Sequence, residues 1–233
     1  MYTYYYNNDK NFPIYITDLT KNLTKYTFLD NNMLWEDKEL QLFFGLVDVN
    51  KRLTIVDIGA QSGLYTLYAK YLPLSTFYSF EPYKVTYDLL CDNIKLNNIT
   101  NVKTYNIALS NKKGGDILNV CSDHNGLHTM GKNPCFENIK QIQIETDTLD
   151  NLFFENNIDV NFIKIDTEGF EYYILEGGRK TINKNKPIIQ LEYNNYRMQQ
   201  CNITEEQINH MIKSLGYKVL GKQNDEMIII PDL

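Results

Sequence analysis

Behind the short apolar run at the start of FIKIDTEGFE (162–171), the chain places Asp166, Glu168 and Glu171 around Gly169. Carboxylates this close together can take a proton from a hydroxyl or hold a hard cation through oxygen ligands. The plainer alternative is a polar strand-to-helix turn, its acids set favourably at the positive end of the next helix. Which of these applies depends on where the strand ends. In an open α/β sheet the carboxyl ends of the strands converge on a ligand.

A second constellation lies upstream. VDIGAQSGLYT (56–66) has the form strand, glycine turn, helix, a geometry that directs backbone N–H groups at a ligand. Glu81 closes the next apolar run 24 positions after Asp57, near the ~20 residues expected for an acid that accepts hydrogen bonds from ribose hydroxyls. A dinucleotide fits badly. Its fingerprint needs a glycine two positions after the first so that the backbone can approach a pyrophosphate, and that position is Gln61. S-adenosylmethionine has no pyrophosphate, and its zwitterionic end can use Asp57 and the turn amides.

The elements that must position these residues alternate. Apolar β-branched runs at 52–58, 76–81, 102–109, 160–166 and 187–193 predict strands, and helical spacing over 63–72, 85–98, 148–157, 171–185 and 204–215 predicts helices. YKVLGK and EMIIIPD close the chain as a strand pair. This order predicts an α/β, Rossmann-like open sheet, mostly parallel, with helices on both faces and an antiparallel edge hairpin. Residues 110–147 break the rhythm with two further strand candidates around the polar loop CSDHNGLHTMGKNPCFEN, which holds His124 and His128. A long loop near a ligand edge is commonly functional, and either histidine there is a candidate base near neutral pH. Residues 1–50, rich in Tyr and Asn, read as an N-terminal arm or cap, and 51–233 as one globular domain.

Composition narrows the function classes. The chain has 233 residues, 43% of them hydrophobic, and a net charge of −6, which suits a folded acidic enzyme rather than a phosphate-binding surface. Cys91, Cys121, Cys135 and Cys201 are scattered without a CxxC pair, so free thiols in a reducing compartment are expected. The first residues lack a basic segment followed by an apolar one, and no run approaches a membrane span, so the expected location is cytoplasmic.

Taken together, VDIGAQSGLYT, FEP (80–82), NIKLNNITNVKTYNIALSN (93–111), TLDNL (148–152), FIKIDTEGFEYYILEGGRKTI (162–182) and KPIIQLE (186–192) resemble the FkbM-type family of class I S-adenosylmethionine-dependent methyltransferases. The resemblance runs over roughly 52–193. It implies O-methyl transfer to a hydroxyl, often on a sugar, glycan or nucleotide-sugar, with S-adenosylmethionine as cofactor. By the same resemblance Asp57, Gly59, Ala60 and Gly63 form the methionine-end site, with Thr66 in the adjoining helix. Glu81 holds the ribose, and Asn106 and Ala108 lie beside the adenine. Asp166, Glu168 and His128 are the catalytic candidates. Mg²⁺ on Asp166 and Glu192 is the less favoured alternative to a general base. Arg179 and Arg197 read as solvated surface charge, with contact to an anionic acceptor as the alternative. The partners expected are a small-molecule or glycan acceptor, no nucleic acid and no membrane; the oligomeric state stays open, a homodimer included. Two rivals remain: an NAD-dependent sugar oxidoreductase and a catalytically silent interaction module of the same fold.

Overall fold

The computed structural model describes residues 2–5, 13–16, 29–30, 33–34, 40, 43–121, 127–132 and 139–232. In the N-terminal stretch β1 (Tyr2–Tyr5) pairs antiparallel with β2 (Pro13–Ile16), and β3 (Leu29–Asp30) with β4 (Met33–Leu34). His124 lies outside the described residues, as do most of residues 1–50.

Strands β5 (Thr54–Ile58), β6 (Thr76–Phe80) and β7 (Val102–Tyr105) run parallel, as do β11 (Phe162–Ile165) and β12 (Ile188–Glu192). With β13 (Tyr217–Gln223) and β14 (Glu226–Pro231) they form a seven-stranded sheet in the order β13-β14-β12-β11-β5-β6-β7. The closing hairpin is therefore present, and its second strand β14 inserts between β12 and β13, antiparallel to both. The strand order reverses between β5 and β11, which puts the ligand crevice of such a sheet beyond the carboxyl ends of these two strands.

Four predicted elements take a different form. The expected strand 102–109 splits at Asn106, and its end, β8 (Ala108–Leu109), joins a separate sheet with β10 (Ile139–Asp147) and β9 (Gly114–Cys121). The expected helix over 63–72 is a 3₁₀ helix, Thr66–Tyr71. The helix predicted over 148–157 contracts to a single π turn at Asp150–Phe154. Helices α1 (Lys84–Leu96) and α5 (Glu205–Ser214) match their predicted spans closely. The helix predicted over 171–185 is divided at Gly178 into α2 (Glu171–Gly177) and α3 (Arg179–Asn185), and α4 (Asn195–Gln200) had no predicted counterpart.

Side chains alternate across each strand, so the sheet carries two cores. Val56, Ile58, Phe80, Ile163, Ile165, Ile189 and Leu191 face the core completed by α2, α3 and α5. Ile55, Phe77 and Phe162 face the other, filled by Tyr65, Leu67 and Tyr68 and by Leu40, Phe43 and Phe44. The residues just before position 50 therefore pack into the sheet, with the Phe44 ring stacked on Tyr68 at 4.2 Å. Cys91 and Cys201 are free thiols, but Cys121 is disulfide-bonded, which corrects the expectation of four free cysteines. Among the described residues no helix is long and apolar enough to cross a membrane.

Candidate active site

The face of the sheet that carries Ile55, Phe162 and Ile188 turns polar toward the strand ends. Period-2 alternation places Asp57 after Ile55, Lys164 and Asp166 after Phe162, and Gln190 and Glu192 after Ile188. Register aligns them, because Lys164 lies opposite both Asp57 and Gln190. Lys164 is 4% exposed; its Nζ lies 3.7 Å from Asp57 Oδ1 and 3.3 Å from Asp166 Oδ2, and it donates to Gly59 O at 3.0 Å. The ammonium also sits 5.1 Å from the centre of the Tyr65 ring. Sequence reading passed over this lysine. The available signal was a lone cation inside the apolar run of a buried parallel strand.

Asp57 is 1% exposed and accepts from Thr66 Oγ1 at 2.6 Å. Burial pushes its carboxyl up, against the pull of Lys164 and the Thr66 hydrogen bond. Thr66 is itself fully buried and also bonds Ser79 Oγ at 2.7 Å, so this threonine acts on the turn through Asp57.

The glycine turn spends its own donors. The N–H groups of Gly59 and Ala60 go to Phe80 O, that of Gln61 to Glu81 Oε2, that of Ser62 to Gln61 Oε1, and that of Gly63 to Ala60 O. The expectation that these amides face a ligand is corrected accordingly. Gly59 (φ +74°) is required by contact as well as by conformation, since a Cβ there would lie 1.9 Å from Asp166 O. Gln61 holds a left-handed φ of +49° without being glycine, a conformation retained only where the surroundings fix it.

Glu81, 5% exposed, accepts from Gln61 N, Tyr83 N and Thr86 Oγ1 at 2.9–3.0 Å. Burial raises its pKa and these bonds oppose the rise. Its Oε1 takes two donors and its Oε2 one, so Oε2 retains an acceptor position. Asn106 donates to the carbonyls of Glu81 and Pro82, at 2.8 and 3.0 Å, and thereby shapes the loop that carries Glu81. Ala108 is buried beside Leu118, Val120 and Ile144, with Tyr83 and Met130 against them.

At the end of β11, Glu168 adopts a left-handed φ of +59° and pairs with Arg197 Nε at 2.8 Å. Arg197 thus belongs to the site, whereas among the described residues Arg179 reaches only Ser214 Oγ at 3.3 Å. One carboxylate oxygen each from Asp166, Glu168 and Glu192 falls within 4.8 Å of the others. Burial first, then Asp166, pushes the Glu168 pKa up to about 8, against the pull of Arg197. Glu171 was expected only to favour a helix end. It is 1% exposed, accepts from Thr167 N and Oγ1 at 2.9 Å, and is pushed up to about 7 chiefly by burial. Burial and the neighbouring carboxylates raise Glu192 well above the ordinary range.

His128 is anchored in the wall of the site by a backbone donor and a ring contact. Its Nδ1 accepts from Cys121 N at 3.3 Å, its ring meets Tyr83 edge-on at 4.7 Å, and burial lowers its pKa to about 4. With Nδ1 occupied by a donor, the neutral ring carries its proton on Nε2. The next residue, Thr129, donates to Glu168 O at 2.8 Å, which docks the 127–132 segment onto the β11 end. Because His128 binds its proton more weakly folded than unfolded, its own contribution to stability is fully present above pH ~6.5 and is lost as pH falls toward ~4, by at most ~1.4 kcal/mol per unit. His128→Asn, which keeps an acceptor near Nδ1, should flatten this acid limb in urea titrations between pH 4 and 6.5. An unchanged limb would mean that His128 does not contribute to it.

This strand order, the glycine turn after β5 and the acid at the end of β6 are those of the class I methyltransferase fold. The chain belongs to the family of the methyltransferase FkbM domain, whose model matches residues 57–219. Among solved structures it is similar to the methyltransferase FkbM from Methylobacillus flagellatus KT (17% identity, TM-score 0.55), covering 82% of this chain and 47% of that one. The chain therefore spans about half the length of that protein. It is also similar to a caffeoyl-CoA O-methyltransferase homologue from Staphylococcus aureus (12% identity, TM-score 0.52, 83% of each chain). At these identities the likeness concerns the fold. No curated protein matches.

Proposed function

We propose that the protein transfers a methyl group from S-adenosylmethionine to a hydroxyl of a sugar, glycan or nucleotide-sugar. The observation that carries this reading is the meeting of Asp166, Glu168 and Glu192 at the switch point of the sheet, beside the glycine turn.

The residues fit the cofactor. Glu81 keeps an acceptor position for a ribose hydroxyl. A turn whose amides are internally bonded suits a nucleoside without a pyrophosphate and disfavours a dinucleotide. When bound, the cofactor supplies an electrophilic methyl on sulfur. The protein's part is to hold an acceptor oxygen in line with that methyl and to receive the hydroxyl proton. Asp166, 27% exposed and fixed by Lys164, and Glu168, fixed by Arg197, are the groups placed for this work. Asp57, Thr66, Asn106 and Gly59 position the loops, and His128 supports the wall that docks on Glu168. The reading treats 51–233 as the catalytic domain, with Leu40, Phe43, Phe44 and Val47 packed into its core.

Calorimetry with S-adenosylhomocysteine tests the cofactor half. Wild type should bind it, NAD should not bind, and Glu81→Ala should weaken binding by about 1.5–3 kcal/mol, the scale of a hydrogen bond to a charged group. NAD binding, or equal affinity in the variant, would overturn this half. Transfer of labelled methyl to a panel of sugars and nucleotide-sugars tests the acceptor half.

A further inference from the structure

We propose that Asp166, Glu168 and Glu192 form a binding site for one hard divalent cation, Mg²⁺ or Mn²⁺ in class. Each residue offers one carboxylate oxygen, and the three lie within 4.8 Å of one another, the span of ligands around a cation at 2.0–2.4 Å. An all-carboxylate donor set favours Mg²⁺ or Mn²⁺ over softer metals.

Proximity of acids is not the only observation. Among the described residues, Glu192 Oε2 is buried and accepts no hydrogen bond. Glu171, whose charge acts on both Glu168 and Glu192, is 1% exposed, and among the described residues its Oε2 is likewise buried without a donor. Buried carboxylate oxygens ordinarily have partners, and a pair left without them marks a position that a cation would satisfy. Register adds to the excess of negative charge, since Glu226 lies directly opposite Glu192 across the β12–β14 ladder, where like charges repel. Among the described residues, the cations paired within the group Asp166, Glu168, Glu171, Glu192 and Glu226 are Lys164 and Arg197. Lys164 is shared with Asp57, and Arg197 is turned to Glu168. A divalent ion neutralises the remainder without adding bulk.

Three protein oxygens would leave the remaining positions of a six-coordinate ion for water and for oxygens of a second ligand. On the reading of the protein as an O-methyltransferase, that ligand is the acceptor. A diol or hydroxyl bound to the ion loses its proton more readily; the oxygen pair then attacks the methyl carbon, the carbon–sulfur bond breaks, and the hydroxyl proton passes to solvent or to a neighbouring carboxylate. The cation's presence does not depend on this role.

Mn²⁺ titration of the full chain, followed by the electron paramagnetic resonance of free Mn²⁺, tests the site. Wild type should bind one Mn²⁺ with a dissociation constant on the order of 10⁻⁵ M, inside the range of oxygen-ligand sites, with Mg²⁺ competing. Glu192→Gln should weaken binding at least ~10-fold and leave S-adenosylhomocysteine affinity unchanged, which also shows that the variant is folded. Glu226→Gln, outside the trio, should keep Mn²⁺ binding. Absence of binding to wild type below ~1 mM, or equal affinity in Glu192→Gln, would overturn the proposal. Mn²⁺ binding without S-adenosylhomocysteine binding would uphold the site and remove the cofactor reading instead.

Discussion

Lys164→Met is expected to destabilise the protein by about 3–5 kcal/mol, the cost of breaking a buried ion pair by removing one partner. Lys164 is 4% exposed, and Asp57, 1% exposed, has the ammonium and the Thr66 hydroxyl as its charge-stabilising partners. Without the lysine, Asp57 must protonate or remain a buried, uncompensated charge. Methionine keeps most of the stem volume, so the loss reports charge rather than a cavity. Asp57→Asn in the same chain should recover much of the stability, and a double-mutant cycle by urea denaturation should return a coupling of about 1–3 kcal/mol. Strictly additive effects would show that Lys164 acts mainly through Gly59 O and Asp166.

Asp166→Asn should lower turnover by ~10²-fold or more, the usual scale for a lost proton acceptor, while S-adenosylhomocysteine affinity stays near wild type. Glu168→Gln should do the same, with an added effect from Arg197, which loses its carboxylate partner. The two substitutions conserve shape, so a fall in turnover with intact binding separates a role in the transfer step from a role in folding. Turnover unchanged in both variants would remove these residues from the chemistry and favour the silent-module rival. A matching loss of S-adenosylhomocysteine affinity would place Asp166 in cofactor binding instead.

Much of this architecture is legible in the sequence, because the strands that build the parallel sheet are continuous apolar runs. VDI, FYSF, FIKI and IIQLE each end in or just before an acid or a glycine, and the structure places those ends at one edge. Asp57 and Glu81 stand out since each follows buried residues directly. The failures have local causes. The 63–72 spacing is helical, but the segment winds as a 3₁₀ helix after a turn whose amides bond back to Phe80, Glu81 and Ala60. The run 102–109 looks like one strand, yet Asn106 directs its side chain to the Glu81 and Pro82 carbonyls, and the chain leaves the sheet there. Arg197 looks like surface charge because α4 carries no apolar periodicity long enough to be read. The Asn194 cap and the pairing with Glu168 bring it to the site.

The sequence by itself determined the fold class, the family, the glycine turn and the acids at the strand ends, since these rest on short-range patterns of side-chain type and spacing. Tertiary structure alone decided which acids meet. The register of β11 against β5 and β12 sets Lys164 between Asp57 and Gln190, and insertion of β14 sets Glu226 opposite Glu192. Glu168 and Glu192 are 24 residues apart in the chain, and no local pattern encodes their approach. It follows from strand order and from the left-handed turn at Glu168, both of which are set by packing of the whole sheet.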